Sequence, residues 1–237
     1  MKLASPRLVW RSYAVPKGDG RSEDLEDAFA GDSQRGRFAI ADGASESAFA
    51  AAWAALLVTN YVQKPRRWSS LARESWEEQC QRPEMPWYLE HHFEEGAFAA
   101  FLGVSFRGPH QWQAVAIGDC CLFHVRNGDL RFAFPVSHSN DFGNRPTLLC
   151  SRHHPGRGNT RRIRADWRDD DLLLLATDAL AKWFLGKVEK CVKPWDELLC
   201  LASQEQFAGW IRRVRDSREI CNDDTTVLII GTESKGG

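Results

Sequence analysis

The spacing of apolar and polar residues predicts strands at both ends and in the middle of the chain, with groups of helices between them. Alternating or continuous apolar runs predict strands over residues 7–15, 37–41, 112–117, 120–126, 130–136, 171–176 and 225–230. Apolar residues three and four positions apart predict helices over residues 47–62, 68–80, 88–103, 179–185, 195–202 and 204–216. Because strands and helices occur in separate groups, the order indicates an α+β sandwich in a single domain spanning residues 1–237.

Local signals mark the turns and one helix start. Asn127-Gly128 stands between two strand patterns and predicts a two-residue hairpin. Ser45 or Ser47 is the expected N-cap of the first helix, since a short hydroxyl side chain accepts a hydrogen bond from the first turn. Residues 137–160 are rich in Ser, Asn, Gly, Pro and His, which predicts a long loop.

The third predicted helix, residues 88–103, is defined by large apolar side chains at near-helical spacing. Leu89, Phe93, Phe98 and Phe101 are its expected buried face. This interpretation places no strand between residue 41 and residue 112.

Composition excludes several classes of protein. Of 237 residues, 43% are apolar and 27% are charged, the balance of an ordinary globular protein. The 31 Lys and Arg residues nearly cancel the 32 Asp and Glu residues, giving a net charge of −1. Since neither nucleic acid nor an anionic membrane would attract such a chain as a whole, we expect neither as a partner.

The chain also indicates a cytoplasmic protein. Its longest apolar-rich stretch, residues 48–62, is too short to span a bilayer. The apolar start of the chain is interrupted by Pro6, Arg7 and Arg11, which is unlike a secretory signal. Seven cysteines without a Cys-x-x-Cys pair favour free thiols in a reducing compartment. Of these, Cys120 and Cys121 are interpreted as packing residues rather than a redox pair.

Carboxylates recur where predicted strands end, and this is the candidate chemistry of the chain. Clustered carboxylates repel one another strongly unless a cation lies among them. Oxygen ligands without paired His or Cys favour Mg²⁺ or Mn²⁺ over zinc. Two such ions about 3.5–4 Å apart can activate a water and hold a phosphoryl group. The carboxylates are Glu26, Asp27, Asp42, Asp119, Asp178, Asp223 and Asp224.

The order of the motifs around these carboxylates resembles the metal-dependent protein phosphatases of type 2C, the PPM family, in its compact bacterial form. The resemblance spans residues 26–230, nearly the whole chain. It rests on five strings in the family's order: Glu26-Asp27-Ala28-Phe29, Phe38-Ala39-Ile40-Ala41-Asp42-Gly43, Val115-Ala116-Ile117-Gly118-Asp119, Leu174-Leu175-Ala176-Thr177-Asp178 and Asp223-Asp224-Thr225-Thr226-Val227.

The resemblance implies a ligand set for two Mn²⁺ or Mg²⁺ ions. Asp42 matches the aspartate that bridges the two metals, and the Gly43 carbonyl matches a backbone ligand of one of them. Asp178 and Asp223 match further ligands, so that Asp42, Asp178 and Asp223 are the expected catalytic carboxylates.

Three more acidic positions take supporting roles by the same resemblance. Glu26 and Asp27 match residues that hold metal-bound waters, and Asp119 matches a carboxylate of a third, weaker metal site. The implied fold is an antiparallel β-sandwich flanked by α-helices on both outer faces. The implied activity is hydrolysis of phosphoserine and phosphothreonine by a metal-activated water, on a phosphoprotein substrate that a Ser/Thr kinase would modify.

Several departures from the family pattern leave alternatives open. Ala44 stands where the family often has His or Met, so a histidine general acid is missing there, and Ala179 replaces a glycine after Asp178. Asp224 competes with Asp223 for the ligand role. A pseudophosphatase that binds without turnover is therefore the alternative function, and hydrolysis of a small phosphate ester is a third.

The expected phosphate-binding residue is also displaced. The family's arginine precedes its Glu-Asp pair by four residues, whereas Arg21 precedes Glu26 by five. Arg21 is nevertheless the candidate for bidentate contact with phosphate. Glu23-Asp24 offers a competing acidic pair.

A basic stretch over residues 152–168 allows two interpretations. It is either a flap that attracts phosphopeptides or a solvated loop and strand face, and the second is favoured. His153 and His154 are interpreted as exposed loop histidines rather than metal ligands.

Overall fold

The protein forms two antiparallel sheets with helices packed against them in the residues that the computed structural model describes, 8–18, 20–47, 49–80, 91, 93–143, 146–152 and 159–233. The strands are β1 (Leu8–Val15), β2 (Ala28–Asp32), β3 (Arg37–Gly43), β4 (Phe98–Phe106), β5 (Gln111–Ile117), β6 (Cys121–Arg126), β7 (Asp129–Phe134), β8 (Leu149–Cys150), β9 (Arg161–Asp166), β10 (Asp171–Ala176) and β11 (Thr225–Thr232). The helices are α1 (Ala50–Gln63), α2 (Trp68–Cys80), α3 (Asp178–Glu189), α4 (Pro194–Leu199) and α5 (Gln204–Asp216).

The strands build a sandwich of two sheets. The first sheet has the order β1-β11-β10-β6-β7, and the second has the order β2-β3-β4-β5-β9 with β8 paired to β4. Period-two alternation sends Leu173 and Leu175 of β10 into the core between the sheets, whereas Leu174 faces the helices. A continuous apolar run is therefore what a strand with two buried faces requires.

Helices cover the outer face of each sheet. On the first sheet, α3, α4 and α5 bury Phe184, Trp195 and Phe207. On the second sheet, α1 buries Trp53 and Leu57 against the small outward residues of β3 and β4. The architecture is the predicted α+β sandwich flanked by helices on both outer faces. None of the helices in the described part of the chain has the length and apolar character of a membrane span.

The predicted helix over residues 88–103 is wrong in its second half. Residues 98–106 form β4, which lies between β3 and β5 in the second sheet. Phe101 faces the helices while Leu102 faces the sandwich core, so both faces are buried and the run carries no period-two signal. Phe93 is buried as expected, and Leu89 lies outside the described residues.

Other local predictions differ in detail. The sequence interpretation missed β2, and the predicted loop at 137–160 contains β8. The N-cap of α1 is Phe49 in a left-handed conformation, and neither Ser45 nor Ser47 caps it. Ser47 instead donates to the Ala44 carbonyl and accepts from the Phe98 N–H, which joins the loop to β4. The Asn127-Gly128 hairpin is confirmed by the pairing of β6 with β7.

A buried ionic network joins three strands at the end of the sandwich away from the carboxylates. Asp171 of β10 accepts hydrogen bonds from Arg126 of β6 at 2.5 and 2.7 Å, and Arg126 also donates to Asp166 of β9 at 2.9 Å. Burial alone would raise the pKa of Asp171, but the bonds from Arg126 and the Arg168 N–H hold it below its ordinary value. His124 Nε2 lies 3.0 Å from Asp171 Oδ2.

We expect His124 to make stability depend on pH. Burial lowers the pKa of His124 below 6.5, an effect that Asp171 offsets only in part. Below pH 6.5 the unfolded chain therefore binds a proton that the folded chain does not, and the stability from a neutral His124 is lost as pH falls through that range. For one group, each unit by which the pH falls lowers the free energy of unfolding by at most about 1.4 kcal/mol.

His124→Phe tests this expectation, because a phenyl ring can occupy the site between Trp112 and Phe132, whose rings His124 meets edge-on at 5.6 and 5.2 Å. Urea denaturation at several pH values between about 7 and 5.5 should show a shallower loss of unfolding free energy in the variant. An equal slope in both proteins would assign the pH dependence to other groups.

Candidate metal centre

Three carboxylates meet at one edge of the sandwich, where the strands that carry them end. Asp42 is near the end of β3, Asp178 follows β10 as the first residue of α3, and Asp223 precedes β11. Burial raises the pKa of Asp42 well above its ordinary value, and Asp178 and Asp223 are among the carboxylates that raise it further. Burial and Asp223 raise the pKa of Asp178 in turn. The positions of these elements and the mutual effects on pKa bring the three carboxylates to the same edge of the sandwich.

Asp27 is buried beside them and has one unsatisfied oxygen. Its Oδ2 accepts a hydrogen bond from the Thr177 hydroxyl at 3.0 Å, while its buried Oδ1 has no partner. Thr177 also accepts the Thr226 N–H at 3.0 Å, which ties Asp27 to the junction of β10 and β11. Burial raises the pKa of Asp27 well above its ordinary value, and the nearby Asp224 and Asp178 add to the effect. An unpartnered buried carboxylate oxygen is costly unless a ligand satisfies it.

Asp119 joins the cluster from the end of β5. Burial raises its pKa to about 7, with a further contribution from Asp178. The preceding Gly118 has φ +89°, and a Cβ there would lie 2.6 Å from the Ala100 Cβ. A glycine is therefore needed for the turn that brings Asp119 back toward the cleft.

Gly43 lets the backbone of β3 approach its neighbours closely. A Cβ at this position would lie 2.8 Å from the Glu26 carbonyl oxygen and 3.0 Å from the Ala50 backbone. The Gly43 N–H donates to that same Glu26 carbonyl at 3.3 Å. The Asp42-Gly43 pair thus lies directly against the backbone of the Glu26-Asp27 pair.

Glu26 is engaged by a lysine that the sequence interpretation missed. Lys17 Nζ lies 2.8 Å from Glu26 Oε2 and 2.6 Å from Ser45 Oγ, and Ser45 also bonds to Glu26. The hydrogen bond to Glu26 raises the pKa of Lys17, and Asp223 and Asp224 contribute. Glu26 therefore lies at the rim of the cleft as half of an ion pair.

The two adjacent aspartates before β11 have different partners. Asp224 accepts the Lys17 N–H at 2.7 Å on one carboxylate oxygen and the Glu26 N–H at 2.6 Å on the other. Asp223 accepts the Asp224 N–H at 2.9 Å on Oδ1. Asp224 is thus committed to holding the loop between β1 and β2, whereas Asp223 lies near enough to Asp42 and Asp178 to raise the pKa of both.

The predicted phosphate ligand and one further cation complete the surroundings. Arg21 is exposed just before a short 3₁₀ turn, Ser22–Asp24, and its N–H donates to Asp24 at 2.8 Å. Asp24 of the competing acidic pair is therefore used to close that turn. Lys182, one helical turn after Asp178 on α3, lowers the pKa of Asp178 and partly offsets the neighbouring carboxylates. No sequence signal marked Lys182.

The donors at this edge suit hard divalent cations. The acidic side chains of the cluster offer carboxylate oxygens, which Mg²⁺ and Mn²⁺ prefer. Within the described ranges, no three His, Cys, Asp or Glu side chains are grouped closely enough to ligate one ion together. The unpartnered Asp27 Oδ1 and the raised pKa values of Asp27 and Asp42 are the features of this edge that a bound cation would relieve.

Three smaller predictions from the sequence concern two cysteines, the basic stretch and a pair of histidines. Cys120 and Cys121 are buried, as packing residues should be. Of the basic stretch, residues 161–166 form the edge strand β9, which fits the solvated strand face. His153 and His154 lie outside the described residues.

Comparisons with known proteins identify the family and the fold. The model of the protein phosphatase 2C family matches residues 20–216. No curated protein sequence matches the chain. The fold is similar to the serine/threonine phosphatase PstP/Ppp of Mycobacterium tuberculosis, with a TM-score of 0.68, 16% identity and coverage of 95% of this chain and 99% of that one.

Two further solved structures share the fold. PppA, described as a regulatory component of the type VI secretion system in Pseudomonas aeruginosa, has a TM-score of 0.63 at 16% identity and covers 97% of this chain and 99% of its own. The phosphatase Stp1 of Staphylococcus aureus has a TM-score of 0.61 at 12% identity, with 97% of each chain covered.

Proposed function

Because the chain belongs to the protein phosphatase 2C family, whose members are phosphoprotein phosphatases, we propose that it hydrolyses phosphoserine and phosphothreonine at a centre of two Mn²⁺ or Mg²⁺ ions. The observation that carries the proposal is the meeting of Asp42, Asp178 and Asp223 in one cleft, beside a buried and unpartnered Asp27 oxygen. A structure of the catalytic domain of PstP is described with two manganese ions.

The carboxylates divide into ligands and supports. Asp42 is assigned as the bridging ligand, since four other aspartates raise its pKa and it is central to the cluster. Asp178 and Asp223 are assigned as further ligands, with the Gly43 carbonyl beside Asp42. Asp223 is preferred over Asp224, because both carboxylate oxygens of Asp224 already accept backbone hydrogen bonds.

Supporting positions surround these ligands. Glu26 and Asp27 are assigned to metal-bound waters, and Asp119 to a third, weaker ion. When bound, the divalent ions supply an activated water and neutralise charge on the phosphoryl group. The chain itself holds Asp42 near the end of β3 and Asp178 at the start of α3, and Lys182 partly offsets the effects of burial and Asp223 that raise the pKa of Asp178.

Contact with the substrate phosphate is assigned to the cations at the rim. Arg21 is the candidate from sequence, and its exposed position leaves its guanidinium available for bidentate contact. Lys17 is a second candidate, because its ammonium group already lies beside Glu26 and Ser45. A Ser/Thr kinase that phosphorylates the substrate protein is the implied opposing partner, and the buried thiols Cys120 and Cys121 suit a reducing cytoplasm.

The direct test is phosphate release from a phosphothreonine peptide by the full chain. We expect turnover with Mn²⁺ or Mg²⁺, none with chelator, and a clear preference for the phosphopeptide over a nucleotide. Preference for the nucleotide would favour a small-ester hydrolase.

A binding module without turnover is the second candidate function. The observation that favours it is the ion pair of Lys17 with Glu26, which competes with a metal-bound water for that carboxylate. Under this alternative the folded chain binds Mn²⁺ in calorimetry yet releases no phosphate from the peptide. Robust turnover with Mn²⁺ would exclude it.

Lys17→Met should affect metal and substrate in opposite directions. Removing the ammonium group relieves repulsion of a cation near Glu26, Asp223 and Asp224, so we expect Mn²⁺ affinity to rise about threefold to tenfold, roughly 1 kcal/mol. The KM for the phosphopeptide should rise by a similar factor if Lys17 contacts phosphate. Calorimetry with Mn²⁺ and steady-state kinetics measure the two effects.

Lys17→Arg is the matched control, since it keeps the charge and both values should stay near those of the wild type. Unchanged Mn²⁺ affinity in Lys17→Met would remove Lys17 from the site. Arg21→Ala, measured in parallel, tests the sequence-derived candidate through KM alone.

A further inference from the structure

A second cavity lies on the outer face of the second sheet, far from the carboxylates. It has a volume of about 690 Å³ and is lined by the start of β3, the end of α1, the start of α2 and parts of β4, β5 and β9. Arg37 at the cavity and Asp42 at the metal centre are five residues apart on β3, which corresponds to about 16 Å. The two sites are therefore separate.

The lining of this cavity is strongly cationic. The turn between α1 and α2 contributes Lys64, Arg66 and Arg67, and β9 contributes Arg162 and Arg164. Among the described lining residues none is acidic, although acidic residues slightly outnumber basic ones in the whole chain. Positive charges concentrated in one concave site raise the local concentration of anions.

Two further arginines of the lining are already held by the protein. Arg37 donates to the carbonyls of Val62 and Gln63 at 2.9 and 3.1 Å, which caps the C-terminal end of α1. Arg107 donates to the Gln113 amide oxygen at 2.9 Å when that amide is oriented to face it. These bonds fix two guanidinium groups at the cavity in advance of any ligand.

The other cations are available for a ligand. Arg67 meets Glu74 at 3.5 Å, but both side chains are exposed and such a pair contributes little. Arg162 and Arg164 lie opposite Val115 and Gln113 in the ladder, so they project from one face of the edge strand. In the described part of the chain neither arginine forms an ion pair.

Backbone and aromatic groups add to the site. The helix α2 has 13 residues, starts at Trp68 beside the cavity and carries no acidic residue in its first turn, so its positive end is uncompensated. Trp68 stacks on Phe101 at 4.1 Å and meets Tyr61 edge-on at 5.9 Å. The Tyr61 hydroxyl is fixed by Ser105 at 2.8 Å, which gives a rigid aromatic wall.

We propose that this cavity binds a small anion that carries several phosphate groups, as nucleoside polyphosphates and inorganic polyphosphates do. Guanidinium groups bind phosphate in a bidentate manner, and several are available here at once. The volume matches that of small-molecule sites. Several negative charges are required, since a single exposed ion pair contributes at most about 1 kcal/mol.

The test is calorimetry on the full chain in the presence of a chelator, which removes any contribution from metal ions. Tripolyphosphate and ATP should each bind with one site per chain, and adenosine should not bind. Tighter binding of ATP than of tripolyphosphate would identify a nucleotide as the ligand and involve Trp68. Equal affinities would identify the phosphate chain alone, and both results support the proposal.

Charge-reversal variants localise the binding. The double variant Arg162→Glu and Arg164→Glu should weaken tripolyphosphate binding at least tenfold. The control variant Arg131→Glu and Arg213→Glu changes the net charge equally at exposed positions elsewhere and should change the affinity less than twofold. Arg66→Ser provides an independent variant on the turn between α1 and α2, with circular dichroism to establish folding.

Three results would overturn the proposal. They are the absence of saturable binding by either phosphate compound, full affinity in the β9 variant, and equal losses in the β9 and control variants. The last result would indicate general attraction of anions to the surface.

Discussion

Asp42→Asn is expected to abolish phosphopeptide hydrolysis while making the metal-free protein more stable. Burial raises the pKa of Asp42, and four neighbouring aspartates raise it further, so Asp42 lies among the carboxylates of the candidate metal centre. Loss of the bridging charge should remove about 4 kcal/mol of transition-state stabilisation, which lowers kcat/KM roughly 1,000-fold. Measured phosphate release with saturating Mn²⁺ gives this value.

The stability effect has the opposite sign. An amide has the shape of the carboxylate but carries no charge, so Asp42→Asn relieves repulsion from Asp27 and Asp178. With chelator present we expect the Tm to rise by about 2–5 °C, corresponding to roughly 1 kcal/mol. With Mn²⁺ present the wild type should gain Tm and the variant should gain much less, because only the wild type binds the ion tightly.

A matched control separates the site from general charge effects. Asp170→Asn makes the same chemical change at an exposed aspartate outside the cleft, and it should alter neither activity nor the response to Mn²⁺. If Asp42→Asn keeps more than about a tenth of the activity, the loss of transition-state stabilisation is less than about 1.4 kcal/mol. That result would show that Asp42 is not a ligand of the metal centre. A Tm that falls in chelator would show that Asp42 is structural.

Sequence alone predicted most of the carboxylate cluster because strand ends are visible in a sequence. Asp42, Asp119 and Asp178 each follow a clear apolar run, and antiparallel strands that share an edge bring such residues together. The strand β4 was missed because its sequence does not have the pattern that marks a strand. Phe101 and Leu102 are buried on opposite faces, and without alternation a strand and a helix have the same apolar pattern.

Residues that reach a site from irregular segments were not predictable. Lys17 arrives from the loop after β1, and its contact with Glu26 depends on Asp224, which holds the backbone of both residues. The cationic cavity was not predictable for a related reason, since its charges come from β3, the turn after α1 and the edge strand β9, which are far apart in the sequence. Only the packing of α1 and α2 on the second sheet brings those distant segments together.

The second large effect concerns stability rather than catalysis. Asp171→Asn should destabilise the protein by about 3–5 kcal/mol, the usual cost of breaking a buried ion pair. Asp171 is 1% exposed and Arg126 7% exposed, so the variant leaves a buried guanidinium group whose one remaining ionic partner among the described residues is Asp166. Urea denaturation at neutral pH should show a lower midpoint with an unchanged m-value.

Two companion variants make the result specific. Asp32→Asn breaks the ion pair of the half-buried Asp32 with the exposed Arg35, a surface pair, and should cost less than about 0.5 kcal/mol. Adding Arg126→Met to Asp171→Asn removes the stranded charge and should recover at least half of the lost stability, because an apolar side chain is tolerated where an unpaired cation is not.

The pH dependence of the same variant provides a further check. The pKa of Asp171 is held below its ordinary value of 3.8 despite burial. The ionised Asp171 therefore contributes fully to the free energy of unfolding above pH 3.8, and this contribution is lost as the pH falls through the lowered pKa. The stability difference between wild type and Asp171→Asn should therefore shrink in strong acid. A loss of less than about 1 kcal/mol of unfolding free energy at neutral pH would contradict this prediction. It would mean that water reaches Arg126 and that the network contributes no more than an exposed ion pair does. The apolar core alone would then stabilise that end of the sandwich.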